Sequence, residues 1–297
     1  MANRRTEASH PAAQGLHAAP AAVVLGHLLT AQVAAAASVA PALPALEAAA
    51  EAAAQALGQG HKMAYAGAGS SGLMALADCL ELAGTFGIPP DRTPMLFAGG
   101  AAALLHMTGA VEDDPALALA DLDRAGIGAG DVVICISASG GTPYTLVVAE
   151  TARDRGATII GIANAPGTRL LALADLPVLL DTGPEVIAGS TRMGAATAQK
   201  IALNMLSVLV GIRLGHVHDG YMVNVIADNA KLIDRAARIV ANLSGAGMDA
   251  ARDALAQTGG AVKPAVLIAA GATPSAAAKA LHASHGHLAP ALATKFS

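Results

Sequence analysis

Ala66-Gly67-Ala68-Gly69-Ser70-Ser71-Gly72 follows a short apolar run, Lys62 to Tyr65, and precedes a helical pattern that begins at Leu73. The run reads as a strand, so this is a glycine-rich strand-to-helix turn. Such turns bring backbone N–H groups close to an anion, and the helix N-terminus adds a favourable dipole. Ser70 and Ser71 supply hydroxyls that can bond phosphate oxygens or cap the helix. The stretch predicts a phosphate cradle in a parallel α/β fold.

The sequence downstream repeats the same alternation. Candidate strands are Met95–Ala98, Val132–Ser137, Thr158–Ala163 and Pro177–Leu180, short and uncharged, as strands covered on both faces are. Helical patterns at Leu73–Ala83, Ala101–Thr108, Pro115–Asp123 and Pro143–Arg155 separate them. Asp114-Pro115 is a helix start, with an N-cap aspartate and proline at the first helical position. The order predicts a doubly wound, mainly parallel five-stranded sheet. Ligands in such sheets bind beyond the carboxyl ends of the strands. That rule selects the opening turn and a second loop, Ser137-Ala138-Ser139-Gly140-Gly141-Thr142-Pro143.

Upstream, residues 1–16 read as an extended arm, and two alanine-rich helices follow, broken near Pro41 and Pro44. Ala18 to Leu46 carries no charge, but prolines, Gly26, His27 and Gln32 interrupt it, so the expectation is soluble helix rather than a membrane span. Downstream, long helices are expected over Ala195–Leu214 and Val225–Leu243, and Val266–Ala270 is ambiguous between strand and helix. The expected domains are therefore an arm with helices over 1–57, a sugar-phosphate domain over 58–243 and a C-terminal helical appendage over 244–297.

Lys and Arg number 18 against 22 Asp and Glu, and aromatics are 2 % of the chain, which leaves no basic or base-stacking footprint for nucleic acid. Cys79 and Cys135 have no metal or redox spacing and sit in apolar runs, so buried reduced thiols in a cytoplasmic protein are expected. His282, His285 and His287 read as a polar, mobile tail, and His216 and His218 as solvated residues beyond a helix end.

Gly67, Gly69 and Gly72 formally satisfy G-x-G-x-x-G. A dinucleotide site would need an acid at the end of the next strand, where Phe97-Ala98-Gly99-Gly100 stands instead, and it would leave the second Ser/Thr loop without a role. Two hydroxyl-rich loops around one phosphate account for both.

At this point several motifs in register resemble the sugar isomerase (SIS) domain, specifically the N-acetylmuramic acid 6-phosphate etherase family. They are Gly67–Gly72, Thr85–Pro90, Ala98–Gly100, Glu112–Asp114, Ser139–Tyr144, Gly183–Arg192, Thr197–Lys200 with Asn204-Met205, and Arg213–Gly215, together with Thr6-Glu7. The resemblance implies a lyase that cleaves the D-lactyl ether of the amino-sugar phosphate, in amino-sugar and peptidoglycan recycling. Elimination across C2–C3 of the open-chain aldehyde is followed by addition of water. No metal or other cofactor is implied, because the aldehyde itself acidifies the neighbouring proton.

By the same resemblance Glu81 is the general acid and Glu112 the general base. Gly69, Ser70, Ser71, Ser137, Ser139, Gly140, Thr142 and Glu185 are substrate-binding. For Glu185 an ion pair with Arg192 is an equal reading, and Lys200 with Asn204 faces either the site or a dimer seam. Glu81 lies ten residues past Ser71, roughly 15 Å along a continuous helix, so a homodimer with composite sites is expected. The chain departs from the family where Leu73 and Gly141 replace arginine and Gly194 replaces lysine. A sugar-phosphate-binding regulatory protein and an aldose–ketose isomerase are the alternative readings, and the paired glutamates favour elimination.

Overall fold

The computed structural model describes residues 5–294 and 296. Two compact units divide the chain: one runs up to Cys79 and resumes over Asp91–Ser207, and the other comprises Leu80–Pro90 and Val208–Ser297.

The first unit is a three-layer α/β sandwich. Helices α1 (Ala21–Ala37) and α2 (Leu43–Gly58) precede the sheet, with a 3₁₀ turn at Ala40–Ala42 where Pro41 falls. Leu46, Ala49, Ala50, Ala53 and Leu57 form the buried face of α2, as their helical spacing requires. Helix α1 is different: Leu25, Leu29 and Val33 are 65, 66 and 62 % exposed. The N-terminal segment is not an extended arm. It forms 3₁₀ turns at Pro11–Ala13 and Leu16–Ala18, Thr6 is buried, and the Gly189 amide donates to the Thr6 carbonyl at 3.1 Å. Residues 1–4 of that segment lie outside the described residues.

Strands β1 (Met63–Gly67), β2 (Met95–Phe97), β3 (Val132–Ile136), β4 (Thr158–Ala163) and β5 (Leu176–Leu179) form one sheet in the order β2-β1-β3-β4-β5, every pair parallel. From β1 the chain winds outward to β2; from β3 it winds the other way, to β4 and β5. The reversal lies between β1 and β3, where Gly67 is level with both Phe97 and Ile136. The connecting helices are α3 (Gly69–Phe86), α4 (Gly100–Leu105), α5 (Pro115–Ala125), α6 (Pro143–Asp154) and α7 (Arg169–Leu173), followed by α8 (Gly194–Arg213). Asp114 caps α5 through the Ala116 and Leu117 amides, and Pro115 occupies its first position. The core is small and branched: Ile134, Ile136, Ile159, Ile160 and Ile162 are fully buried with Ala64 and Ala66.

Buried polar groups are paired in networks. The Tyr65 hydroxyl donates to Asp78 at 2.8 Å, and Asn204 and Ser207 donate to the other carboxylate oxygen at 2.6 and 2.9 Å. Asn204 thus serves the interior, where four polar side chains satisfy one another. Cys79 and Cys135 are buried free thiols, and burial first, then the Asp78 charge, pushes the Cys79 thiol up to about 11.

The second unit is mostly helical: α9 (Ala230–Ser244), α10 (Met248–Gln257), α11 (Val262–Ala269), α12 (Pro274–Ala283) and α13 (Leu288–Leu292), with a two-stranded hairpin of β6 (Val217–His218) and β7 (Tyr221–Met222). The ambiguous run Val266–Ala270 is helical and packs in a core with Val240, Ala254, Leu255 and Leu288. The histidine-rich segment is ordered rather than a mobile tail. His282 lies in the last turn of α12, His287 is the N-cap residue of α13, and the His287 ring lies 3.0 Å from where a Cβ on Gly215 would sit.

The closest backbone approach in the first unit is at the opening turn. A Cβ on Gly72 would lie 2.7 Å from Cε2 of Phe97 and 2.9 Å from the Gly67 carbonyl oxygen. Glycine lets the first turn of α3 lie directly on β1. Gly72→Ala is expected to cost about 1–3 kcal/mol by overpacking, read as a lower midpoint in urea unfolding.

Candidate active site

A polar cavity of about 210 Å³ opens at the carboxyl ends of β1 and β3, where the sheet order reverses. The first loop brings Ala68, Gly69, Ser70 and Ser71 to its wall, and the second brings Ala138, Ser139 and Thr142.

Both loops end in helix N-termini. The Gly72 amide donates back to the Ala68 carbonyl at 2.9 Å, while Gly69, Ser70 and Ser71 have no such backbone partner. Gly69 takes φ +53°, and Ser70 and Ser71 have no side-chain partner among the described residues. In the second loop Ser137 is buried and bonds Thr142 between hydroxyls at 2.8 Å, and Ser139 at 3.4 Å. Thr142 stands at the N-cap of α6, but its hydroxyl is spent on Ser137 rather than on the helix. The backbone of this loop is pinned by β4 and beyond: Ser137 donates to Ile162 O at 3.1 Å, and Leu170 donates to Gly140 O at 3.1 Å. Gly140 has φ +60° and presses on Thr168, which leaves no room for a side chain. Two helix dipoles and a set of hydroxyls therefore meet at one cavity, a setting for a multiply charged anion.

Glu112 lies in a 3₁₀ turn, Gly109–Asp113, and also lines the cavity. Its Oε1 is 2.6 Å from where a Cβ on Gly69 would be, so a side chain at 69 would displace the carboxylate. Burial first, and the neighbouring Asp113 charge second, hold the Glu112 carboxyl above the usual carboxylate range. A carboxylate of this kind, facing an anion cradle, suits proton abstraction from carbon.

Not every expected site residue gathers here. Ser137 and Gly140 stand behind the lining, as supports of Ser139 and Thr142. Glu81 is an exposed residue about three turns along α3 from Ser71. Glu185 is buried outside the cavity lining, and its two oxygens accept the Gly194 amide at 2.9 Å and the Ala195 amide at 2.8 Å. In this chain it caps α8 and forms no ion pair with Arg192; Gly194 suits the arrangement, because a Cβ there would lie 3.0 Å from the carboxylate. Gly141 has open space around its missing Cβ.

Four lining residues from outside the two loops were not expected as ligand contacts: Thr6, Glu7, Gly189 and Thr191. The Glu7 carboxylate is 2.7 Å from the Cβ position of Gly189, so the N-terminal segment and the loop before α8 close the cavity together. The available signal was the occurrence of Thr6-Glu7 among the resembling motifs, far from either loop in sequence. Among the described residues no group of three potential metal ligands is present.

The SIS domain family profile matches residues 31–164. A Bacteroides fragilis protein described as a proposed phosphosugar isomerase involved in capsule formation shares the fold at TM-score 0.52 and 21 % identity, over 67 % of this chain and 93 % of that one. Much nearer in sequence are curated proteins named N-acetylmuramic acid 6-phosphate etherase. That of Deinococcus radiodurans is 45 % identical over 285 residues, 96 % of this chain and 93 % of its own length. That of Rubrobacter xylanophilus is 42 % identical over 77 % of this chain and 76 % of its own, and that of Pectobacterium atrosepticum 41 % over 86 and 84 %. With motifs in register and this identity along nearly its whole length, the chain belongs to the N-acetylmuramic acid 6-phosphate etherase family.

Proposed function

We propose that the protein cleaves the D-lactyl ether of N-acetylmuramic acid 6-phosphate, releasing D-lactate and N-acetylglucosamine 6-phosphate. The observation that carries this reading is a half-buried carboxylate of raised pKa, Glu112, set against a hydroxyl-lined cradle at two helix N-termini. Gly69, Ser70, Ser71, Ser139 and Thr142 hold the phosphate through amides and hydroxyls, with Ser137 and Gly140 shaping the second loop. Glu112 takes the C2 proton of the open-chain aldehyde, and the C3–O bond breaks toward lactate. Glu81 protonates the departing oxygen, and water then adds at C3. The aldehyde provides the acidity of C2, so the residues present suffice without a metal.

The acid comes from a second copy of the chain in this scheme. Glu81 lies roughly 15 Å along α3 from Ser71, further than a hexose phosphate comfortably spans. Helix α1 offers the seam: it is apolar, and Leu25, Leu29 and Val33 are exposed. Exposed apolar faces of this kind are typical of association surfaces. We take the same face of a second copy, rather than a lipid bilayer, as the partner of α1, although the stretch over Ala21–Gly58 is long and apolar enough to cross a membrane by length and composition. On the same reading residues 1–57, with α1 and α2, dimerise, 58–243 carries the sugar-phosphate site and 244–297 is an appendage. Two free buried thiols accord with the cytoplasm, and net charge −4 accords with a small-molecule substrate rather than nucleic acid.

Incubation with N-acetylmuramic acid 6-phosphate is expected to release D-lactate, and Glu112→Gln is expected to reduce that rate by about 10²–10⁴-fold. Absence of turnover in the wild type, with tight binding of another sugar phosphate, would replace this reading by a regulatory one. The Asp113 charge disfavours ionised Glu112, so Asp113→Asn lowers the Glu112 pKa. The acid limb of the kcat/KM profile is therefore expected to move to lower pH. Glu81→Gln and Ser139→Ala, each inactive alone, are expected to regain activity when mixed and allowed to exchange subunits; mixtures that stay inactive contradict composite sites.

A further inference from the structure

A second cavity, of about 420 Å³, lies wholly within the helical unit. Asn224, Gly259, Gly260, Ala261, Lys263 and Gly286 contribute to its wall, and no carboxylate does. Lys263 is only 9 % exposed and has neither a hydrogen bond nor an ion pair with any described residue. It stands in the first turn of α11, where the helix dipole repels a cation. The Ala261 N-cap has no side-chain oxygen, and neither the Val262 nor the Lys263 amide has a backbone acceptor. His216 adds to the imbalance: its Nδ1 is buried without a partner. Burial, then the Lys263 charge, with a smaller contribution from His287, outweigh a backbone bond at Phe86 and push His216 down to about 4.

An unpaired ammonium, removed from water at the positive end of a helix, is strongly unfavourable. Burial alone takes Lys263 down to about 8, so it still carries its proton through much of the neutral range. One group would satisfy both the ammonium and the two open amides: an anion that accepts from all three.

We propose that this cavity is a second oxyanion site, distinct from the cradle, that takes a phosphate or carboxylate group between Lys263 and the first-turn amides of α11. Asn224 stands at its wall as a further polar contact, with its Nδ2 already donated to the Phe86 carbonyl at 2.9 Å. The surrounding Val223, Val225, Ile226 and Leu281 suit a small metabolite with an apolar or neutral body rather than a polyanion.

The test follows amide signals of Val262 and Lys263 by ¹H–¹⁵N NMR in the full-length protein, titrated with inorganic phosphate and, separately, with acetate. Phosphate also enters the cradle, so Ser139→Ala serves as the control for that site. Saturable shifts at Val262 and Lys263 are expected in the wild type and in Ser139→Ala. Lys263→Met should weaken them about tenfold or more, the loss of one charge-assisted bond. Lys263→Gln provides the same comparison if the methionine variant fails to fold. The anion that shifts these signals at lower concentration identifies the source as phosphate or carboxylate. No shift with either anion in the wild type, or equal shifts in the Lys263 variants, overturns the proposal.

Discussion

The contact between the Gly67 carbonyl and the Gly72 backbone is the constraint on which the cradle depends. It sets the first turn of α3 directly on the end of β1, with the Phe97 ring against the same glycine. Any side chain at 72 lifts the helix away, and the three open amides of Gly69, Ser70 and Ser71 lose their aim. The G-x-G-x-x-G spacing of this turn thus answers to helix-on-strand packing, which explains how it can occur without the acidic residue a dinucleotide requires. Gly69 has the further duty of leaving room for the Glu112 carboxylate.

Topology does the rest. Because β1 and β3 are neighbours and the chain winds away from them in opposite directions, their two following loops face one crevice with no helix between. The second loop is rigid for a different reason than the first: its hydroxyls bond one another, and its backbone is tied to Ile162 and Leu170. With no Lys or Arg in the cavity wall, the donors available to an anion there are amides, helix dipoles and hydroxyls, preorganised rather than charged. Leu73 and Gly141, where the resemblance implies arginine, add no charge near that wall.

The strands and helices around the sheet were legible because each is short, uncharged or periodic in its own right: Thr158–Ala163 is the strand expected, and α5 begins at its Asp-Pro signal. Both loops and Glu112 were legible from residue type and motif order. Less so were features that depend on partners distant in the chain. Glu185 reads equally as a ligand contact or an ion-pair partner of Arg192 until the start of α8 is seen against it, and Asn204 reads as facing the site or a dimer seam until Asp78 is found beneath it. Glu7 enters the cavity only because Thr6 pairs with Gly189 across more than 180 positions of sequence. Helix Val262–Ala269 has an apolar run that suits strand or helix equally, and its packing partners decide. The histidine segment looked like a tail for want of apolar periodicity, yet Leu288 and Ala291 beside it are buried.

The most direct test of the account is a crystal structure of the Glu112→Gln variant soaked with N-acetylmuramic acid 6-phosphate. The account predicts the phosphate between the first turns of α3 and α6, within hydrogen-bond reach of Ser70 or Ser71 and of Ser139 or Thr142, with C2 facing residue 112. A phosphate bound elsewhere, or a sugar with C2 turned away from residue 112, would contradict it.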